Sequence, residues 1–530
     1  MIEVKMYGVE EIRQKIYEKS PLISFEKYFI PIKFFDNAFD FLVLSNGTRF
    51  SLGNGQSEKT EGRLLLYFYG GVIMFEKWFH LKEHNVTVKS EMAAGLTTFM
   101  TMAYILAVNP QILSLAGTET NPFPAGGILI ATAIASCFAC ICMAFFSNLP
   151  FALAPGMGLN AYFTYTVCMS YGYAWQFALF AVFVEGLIFL VLSLTNVREA
   201  IFNAIPISLK QAISAGIGLF IAFIGLQSAH VVIESPTLVG LQNFKATIHT
   251  AGICAILCLI GVLLIAVMSH KKVKGAILFG ILITWALGMI AQAVGIYIPD
   301  VENGFFSLYP SFGTPHFAEF GQIVGQCFKF DFSSIEILDF VVIMFAFLFV
   351  DIFDTLGTLI GVASKADMLD ENGHLPAIKG ALFADSLGTT VGAILGTSTV
   401  TTFVESAAGV AEGGRTGLTA LTTGGLFLLS ILFAPLFISI PGFATAAALI
   451  YVGFLMLTSI LKVNFNDLTE AVPAYIALIS MPFFYSIAEG ISFGIISYVI
   501  INLVTGNSKK ISGLMYVLGI VFILRYMFLV

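Results

Sequence analysis

Residues 396–410 read GTSTVTTFVESAAGV. The piece opens as extended backbone and continues as a short helix of small residues, with Glu405 at the joint. A second stretch, LPFALAPGMGLNAYF at 149–163, has the same plan and carries Asn160 in its helical half. Short, Gly- and Pro-interrupted segments at corresponding places in two halves of a hydrophobic chain point to the midplane binding site of a secondary transporter. Extended backbone is tolerated at that depth only beside protein or a wet cavity.

The rest of the chain fits that reading. Of 530 residues, 58% are hydrophobic and 11% charged, and the mean hydropathy is +0.90. A soluble domain carries about 25% charged residues, and no large core explains losing more than half of them. Apolar runs at 126–147, 175–194, 251–269 and 278–296 can each cross about 30 Å of hydrocarbon as a helix. The fold class is therefore an all-α polytopic membrane protein; a β-barrel would show shorter, alternating segments. There is no basic patch interleaved with aromatics, which argues against nucleic acid as a partner. There is no G-x-x-x-x-G-K-[ST] loop, serine nucleophile elbow or H-E-x-x-H pair, which argues against an ATPase of that kind and against an enzyme. Cys137, Cys140, Cys142, Cys254 and Cys258 lie inside apolar segments and read as core residues, with neither a metal site nor a disulfide framework implied.

Fourteen membrane segments are expected. Seven centre near 103, 136, 163, 184, 218, 260 and 287, and seven near 350, 388, 408, 427, 451, 479 and 497. Residues 1–73 are polar and form an N-terminal extension, poorly ordered or a start-site artefact with Met74 as the native start. Residues 74–297 hold the first repeat, led in by the amphipathic FEKWFHLKEHNVTVKSE (75–91), which reads as an interfacial helix. Residues 298–338 form an extracellular connection, 339–505 the second repeat, and 506–530 a C-terminal apolar segment that either spans or lies along the surface. An odd number of spans per half turns the halves over, giving a 7+7 inverted repeat with interrupted segments at positions 3 and 10. Loops on one side hold Lys77, Lys82, Lys89, Arg198, Lys210, Lys271, Lys272, Lys274, Lys365, Lys379, Arg415, Lys462, Lys509 and Lys510; the other side holds Lys245 and Lys329. That asymmetry places the N-terminus and the end of the core in the cytoplasm, with the protein in the plasma (inner) membrane.

The eighth segment, FAFLFVDIFDTLGTLIGVA (345–363), carries Asp351 and Asp354, which share a helical face at i and i+3. A charged Asp at the bilayer centre costs about 2.5–3.5 kcal/mol on insertion scales, so two need a cation, a proton or a hydrated cavity. The alternative is structural, one acid bracing a neighbour through Thr355 or Thr358; the expense of intramembrane acids favours a functional role. Glu405, near the start of the short tenth-segment helix, is placed to bind a ligand or simply to cap after Thr401 or Thr402. Phe403 could stack on a ring, although 52 Phe residues make packing the commoner role. Ser406 joins this substrate-binding set. The Asn160 amide suits a neutral polar ligand or an interhelical hydrogen bond, and both readings stay open. Asp385 in ALFADSLGTT could bridge the segments carrying Asp351 and Glu405; with Asp354 and Thr355 it belongs to proton coupling or support. The patterns GTTVGAILG and SAAGVAEGG mean close helix packing.

AGLTTFMTMAYILAVNP (94–110), LAPGMGLNAYF (153–163), FVDIFDTLGTLIGVASKA (349–366), ALFADSLGTTVGAILGTSTVTTFVESAAGVAEGGRTGL (381–418) and YVGFLML (451–457) closely resemble the nucleobase:cation symporters, in the AzgA-like adenine/guanine/hypoxanthine permease branch. The resemblance runs from about Met74 to the C-terminus. It implies a core domain of segments 1–4 and 8–11, a gate domain of segments 5–7 and 12–14, and a purine nucleobase imported with protons. It assigns Asp351 and Glu405 to the base and Asn160 to the third-segment binding motif, and makes Asp354 the second acid of its helix. Both acids in FVDIFDT look more like the guanine/hypoxanthine subgroup than the adenine subgroup. No cofactor beyond the coupling H+ is implied; membrane lipid surrounds the protein, and homodimers are common in the wider family. The alternatives are a uracil, xanthine or other small-solute carrier on the same fold and, from another class, an intramembrane enzyme or a channel. An anion carrier should place positive charge at the site, and a channel would show uptake without proton coupling.

Overall fold

The computed structural model describes residues 75–194, 205–236, 238–330, 337–365, 368–369 and 375–528. The expected extension at 1–73 and the loop holding Arg198 lie outside them, and Met74–Val530 forms one unit. The amphipathic lead-in is helical over 75–79 and again from Val88. His80 and Asn85 take left-handed backbone (φ 53° and 54°) and turn the chain. Thr87 then starts α1 (Val88–Met102) with a reciprocal cap, its hydroxyl accepting from Ser90 N at 3.1 Å while Ser90 Oγ accepts from Thr87 N at 3.0 Å. The residues after Thr87 thus belong to a membrane helix, and the interfacial reading stops short of them.

A break at Ala103–Tyr104 separates α1 from α2 (Ile105–Ser114). There follow α3 (Ala125–Phe146), β1 (Leu153–Pro155) and α4 (Met157–Ala161), which runs on as a π-helix over Tyr162–Ser170. Next come α5 (Trp175–Ser193), α6 (Ile207–Ser228), a hairpin of β2 (Val232–Ser235) and β3 (Leu238–Leu241), α7 (Ala251–His270) and α8 (Ala276–Ala293). The connection contains α9 (Phe317–Ile323). The second half is α10 (Ile337–Lys365), α11 (Ile378–Leu395), β4 (Val400–Thr402), α12 (Ser406–Ala411), α13 (Gly417–Ser430), α14 (Ala434–Ile438), α15 (Gly442–Leu457), α16 (Leu468–Phe483) and α17 (Ile487–Val504). α18 (Gly513–Phe528) packs against α17 and buries Met515, Leu518 and Phe522.

Among the described residues, ten helical stretches are long and apolar enough to cross a membrane, with α1–α2 and α13–α14 each counted as one. The other four expected segments are the 29-residue α10, the shorter apolar α16 and the two interrupted pieces. The packing itself shows the repeat. α3 lies on α13, and its counterpart α11 lies on α5; α1 lies on α13, and its counterpart α10 lies on α5. In the other body α7 lies on α15 as α16 lies on α6, α7 on α8 as α16 on α17, and α6 on its own counterpart α15. Such exchange of partners is what a pseudo-two-fold axis in the membrane plane produces. The first group is the core domain and the second the gate.

Small residues let the core close up. A Cβ on Gly388 would stand 2.7 Å from that of Ala139, and one on Gly409 would meet Ala94 O at 2.7 Å and collide with Thr98 Oγ1. Gly409→Ala is expected to cost about 1–3 kcal/mol through overpacking, read as a lower unfolding temperature of the detergent-purified protein. An unchanged temperature would mean that α1 yields without cost.

At the ends of α16 and α17, Lys510 Nζ reaches Asp467 Oδ2 at 2.8 Å, and Asp467 also accepts from Thr469 N and Oγ1. The Lys510 bond first, and the Thr469 bonds after it, pull the Asp467 carboxyl down to about 2. Asp467 is thus ionised across the physiological pH range.

Candidate functional site

The two interrupted segments meet through their main chains. β1 and β4 pair antiparallel, Leu153 opposite Thr402, Ala154 opposite Thr401 and Pro155 opposite Val400. Gly156 N donates to Thr399 O and Phe403 N to Ala152 O, each at 3.0 Å, extending the ladder at both ends. The pairing satisfies backbone groups that have no water at this depth. Gly156 is required by the close approach: a Cβ there would stand 2.6 Å from Thr401 Cγ2 and 3.6 Å from Asp354 Oδ2.

Glu405 sits at the N-cap position of α12, but its side chain does not cap the helix. Instead its Oε1 accepts from Tyr104 OH at 2.7 Å. Tyr104 lies at the joint between α1 and α2. Asp354, beside Gly156, lies within electrostatic reach of Glu405 and Tyr104. Asn160 is fully buried on α4; its Oδ1 accepts from Ser398 Oγ, and its Nδ2 has no protein partner. Phe403 is buried beside the ladder. Ser406 Oγ accepts from Ala152 N at 3.0 Å and so fastens the start of α12 to the chain leading into β1.

Asp351 and Asp354 diverge. Three residues of α-helix turn about 300°, so the two side chains stand about 60° apart, enough for different neighbours. Asp351 Oδ1 lies 3.1 Å from Thr355 Oγ1, and both Asp385 oxygens lie 3.1 Å from the same hydroxyl. Thr401 Oγ1 is 2.6 Å from it. One hydroxyl has one hydrogen, so Thr355 donates to one carboxylate at a time while accepting from Thr401. The site residues therefore fall into two groups around the crossed strands. Asp354, Glu405 and Asn160 flank the joints with α12 and α4, and Asp351, Thr355 and Asp385 form a separate buried network on Thr401.

Three polar residues escaped the sequence reading. Tyr104 lies 301 positions from Glu405, and no spacing rule connects them. Glu185, fully buried on α5, accepts from Thr399 Oγ1 at 3.2 Å; the signal was an acid inside the apolar run 175–194. Glu91, also buried, accepts from Arg415 N at 2.8 Å, Thr416 N at 3.2 Å and Thr419 N at 3.2 Å, holding the start of α13 on α1. Among the described residues no group of three or more His, Cys, Asp or Glu side chains could hold a metal ion.

Two inverted helical repeats whose short segments cross at a pair of carboxylates define a transporter of small solutes. The chain belongs to the Permease family (Xan_ur_permease), which residues 89–493 match. It is 46% identical over 455 residues to the putative permease MJ0326 of Methanocaldococcus jannaschii, covering 86% of this chain and 98% of that one. It is 41% identical to the adenine permease AdeP of Escherichia coli (86% and 96% covered) and 43% identical to the guanine/hypoxanthine permease PbuO of Bacillus subtilis (84% and 99% covered). Among solved structures, the transmembrane domain of the cyanobacterial bicarbonate transporter BicA superposes with a TM-score of 0.56 at 16% identity, covering 76% of this chain and 97% of that one. That likeness is one of fold. The protein is an integral membrane permease and not an enzyme.

Proposed function

We propose that the protein imports purine nucleobases, guanine and hypoxanthine ahead of adenine, by proton symport with alternating access of core against gate. The observation that carries this reading is the Asp354–Glu405 pair at the strand crossing, in a chain related over nearly its whole length to purine permeases. Guanine presents adjacent N1–H and amino donors, which an ionised carboxylate accepts side by side. Adenine pairs an amino donor with a ring acceptor and needs a protonated acid to complete the pair. The free Asn160 Nδ2 suits a ring or carbonyl acceptor. Asp354 and Glu405 then hold the base, while Asp351, with Thr355 and Asp385, braces the crossing and takes part in proton coupling. The excess of Lys and Arg in alternate loops supports a cytoplasmic N-terminus and a place in the plasma membrane. Adenine transport is the second reading, favoured by the likeness to AdeP.

Uptake of radiolabelled guanine, hypoxanthine and adenine into cells lacking their own purine permeases tests this, with a protonophore as control. Accumulation that the protonophore abolishes is expected. Asp354→Asn should raise KM for the base, whereas Asp351→Asn should mainly lower the maximal rate. No purine uptake by the wild-type protein would overturn the substrate, and protonophore-resistant accumulation would overturn the coupling ion.

A further inference from the structure

The strand ladder gives the Thr-rich stretch two faces with different neighbours. Thr399 O accepts from Gly156 N, so Thr399 continues the extended pairing of β4. Side chains alternate along an extended chain, so Thr399 and Thr401 point to one face about 6–7 Å apart, and Ser398 points to the other. Thr401 meets Thr355, Asp351 and Asp385 from α10 and α11; Thr399 meets Glu185 from α5; Ser398 meets Asn160 from α4. One strand face is thus applied to buried acids drawn from three helices.

We propose that Glu185 is a positioning residue of the transport cycle, holding the strand crossing through the Thr399 hydroxyl and taking up and releasing the coupled proton there. This rests on the symport reading above. With Glu185 ionised, the Thr399 hydroxyl donates to Oε2. A proton arriving from water on one side of the membrane forms an O–H bond on Glu185; the acid then donates to Thr399 Oγ1, and the Thr399 hydrogen turns away. Loss of the proton to water on the other side restores the first arrangement, with no other bond made or broken. Each change falls next to Ser398, whose hydroxyl holds the Asn160 amide, so the proton on Glu185 and the base are linked without contact. The elements packed on α5 are α10, α11, the π-helix and the turn Gln326–Phe328. Their ionisable groups are Asp339, Asp351, Asp354 and Lys365 from α10, Lys379 and Asp385 from α11, Tyr162, Tyr165 and Cys168 from the π-helix, and Cys327 from the turn.

The test separates coupling from binding. Glu185→Gln keeps the shape and a hydrogen-bonding group but cannot gain or lose a proton. Cells or vesicles holding the variant are expected to exchange labelled for unlabelled purine at no less than about a third of the wild-type rate. Net accumulation is expected to fall from about fiftyfold, the ratio that one proton crossing ~100 mV sustains, to about one, with no dependence on external pH. Glu185→Asp should recover part of the accumulation. If Glu185→Gln fails to reach the membrane, Thr399→Val removes the same bond from the other partner and should give the same split. Glu185→Gln that accumulates purine with the wild-type pH profile, while wild-type accumulation is abolished by the protonophore, overturns this role alone. Loss of exchange and accumulation together in Glu185→Gln, Glu185→Asp and Thr399→Val also overturns it, since that marks a purely structural residue. Wild-type accumulation that survives the protonophore overturns the symport reading and this role with it.

Discussion

Glu405→Gln is expected to lower the initial rate of purine uptake about a hundredfold or more at matched membrane abundance, because charge-assisted hydrogen bonds contribute about 1.5–3 kcal/mol each. The fold should persist. Gln offers the same volume, and its one oxygen can still accept from Tyr104 OH, as Glu405 Oε1 does at 2.7 Å. That leaves the amide NH2 where the second carboxylate oxygen stood. A donor then faces the donors of guanine or hypoxanthine, and the site rejects the base it was built for. Tyr104→Phe should have a smaller effect, since it removes the orienting hydroxyl and keeps the charge. Uptake by Glu405→Gln within threefold of wild type would remove Glu405 from the site.

The second large effect is expected at Thr355. Its hydroxyl lies 3.1 Å from both Asp351 and Asp385 and 2.6 Å from Thr401 Oγ1, so it joins α10, α11 and β4. Thr355→Val keeps the β-branched shape and deletes only the hydroxyl. A lost buried hydrogen bond to a charged acceptor costs about 1.5–3 kcal/mol, so the unfolding temperature should drop and uptake should fall about a hundredfold. Thr355→Ser should restore most of both. A Thr355→Val protein with wild-type stability and uptake would show that the two carboxylates are held by other means.

The architecture was legible because it rests on patterns that water and lipid impose. Long apolar runs, odd span numbers and two interrupted segments lead to the inverted repeat before any coordinates. The lead-in helix was overextended because amphipathic spacing does not reveal left-handed turns at His80 and Asn85. At the site, acid positions were readable and their partners were not. Sequence spacing puts Asp351 and Asp354 on one face, but which neighbour each meets depends on helices 30 or more residues away. Tyr104 meets Glu405 across 301 residues, a contact that no local spacing announces. Glu185 was hidden by its own surroundings: a single acid inside the run 175–194 barely lowers the hydropathy of that span, yet it is as buried as Asp351.

The central claim is that a purine is held where the two interrupted segments cross. The most direct measurement is equilibrium binding of radiolabelled guanine to the detergent-purified protein, wild type against Glu405→Gln. Saturable binding is predicted for the wild type, displaced by excess unlabelled hypoxanthine and not by uracil, and lost in Glu405→Gln protein that retains its wild-type unfolding temperature. Guanine binding that survives Glu405→Gln unchanged, or that uracil displaces as well as hypoxanthine does, would contradict it.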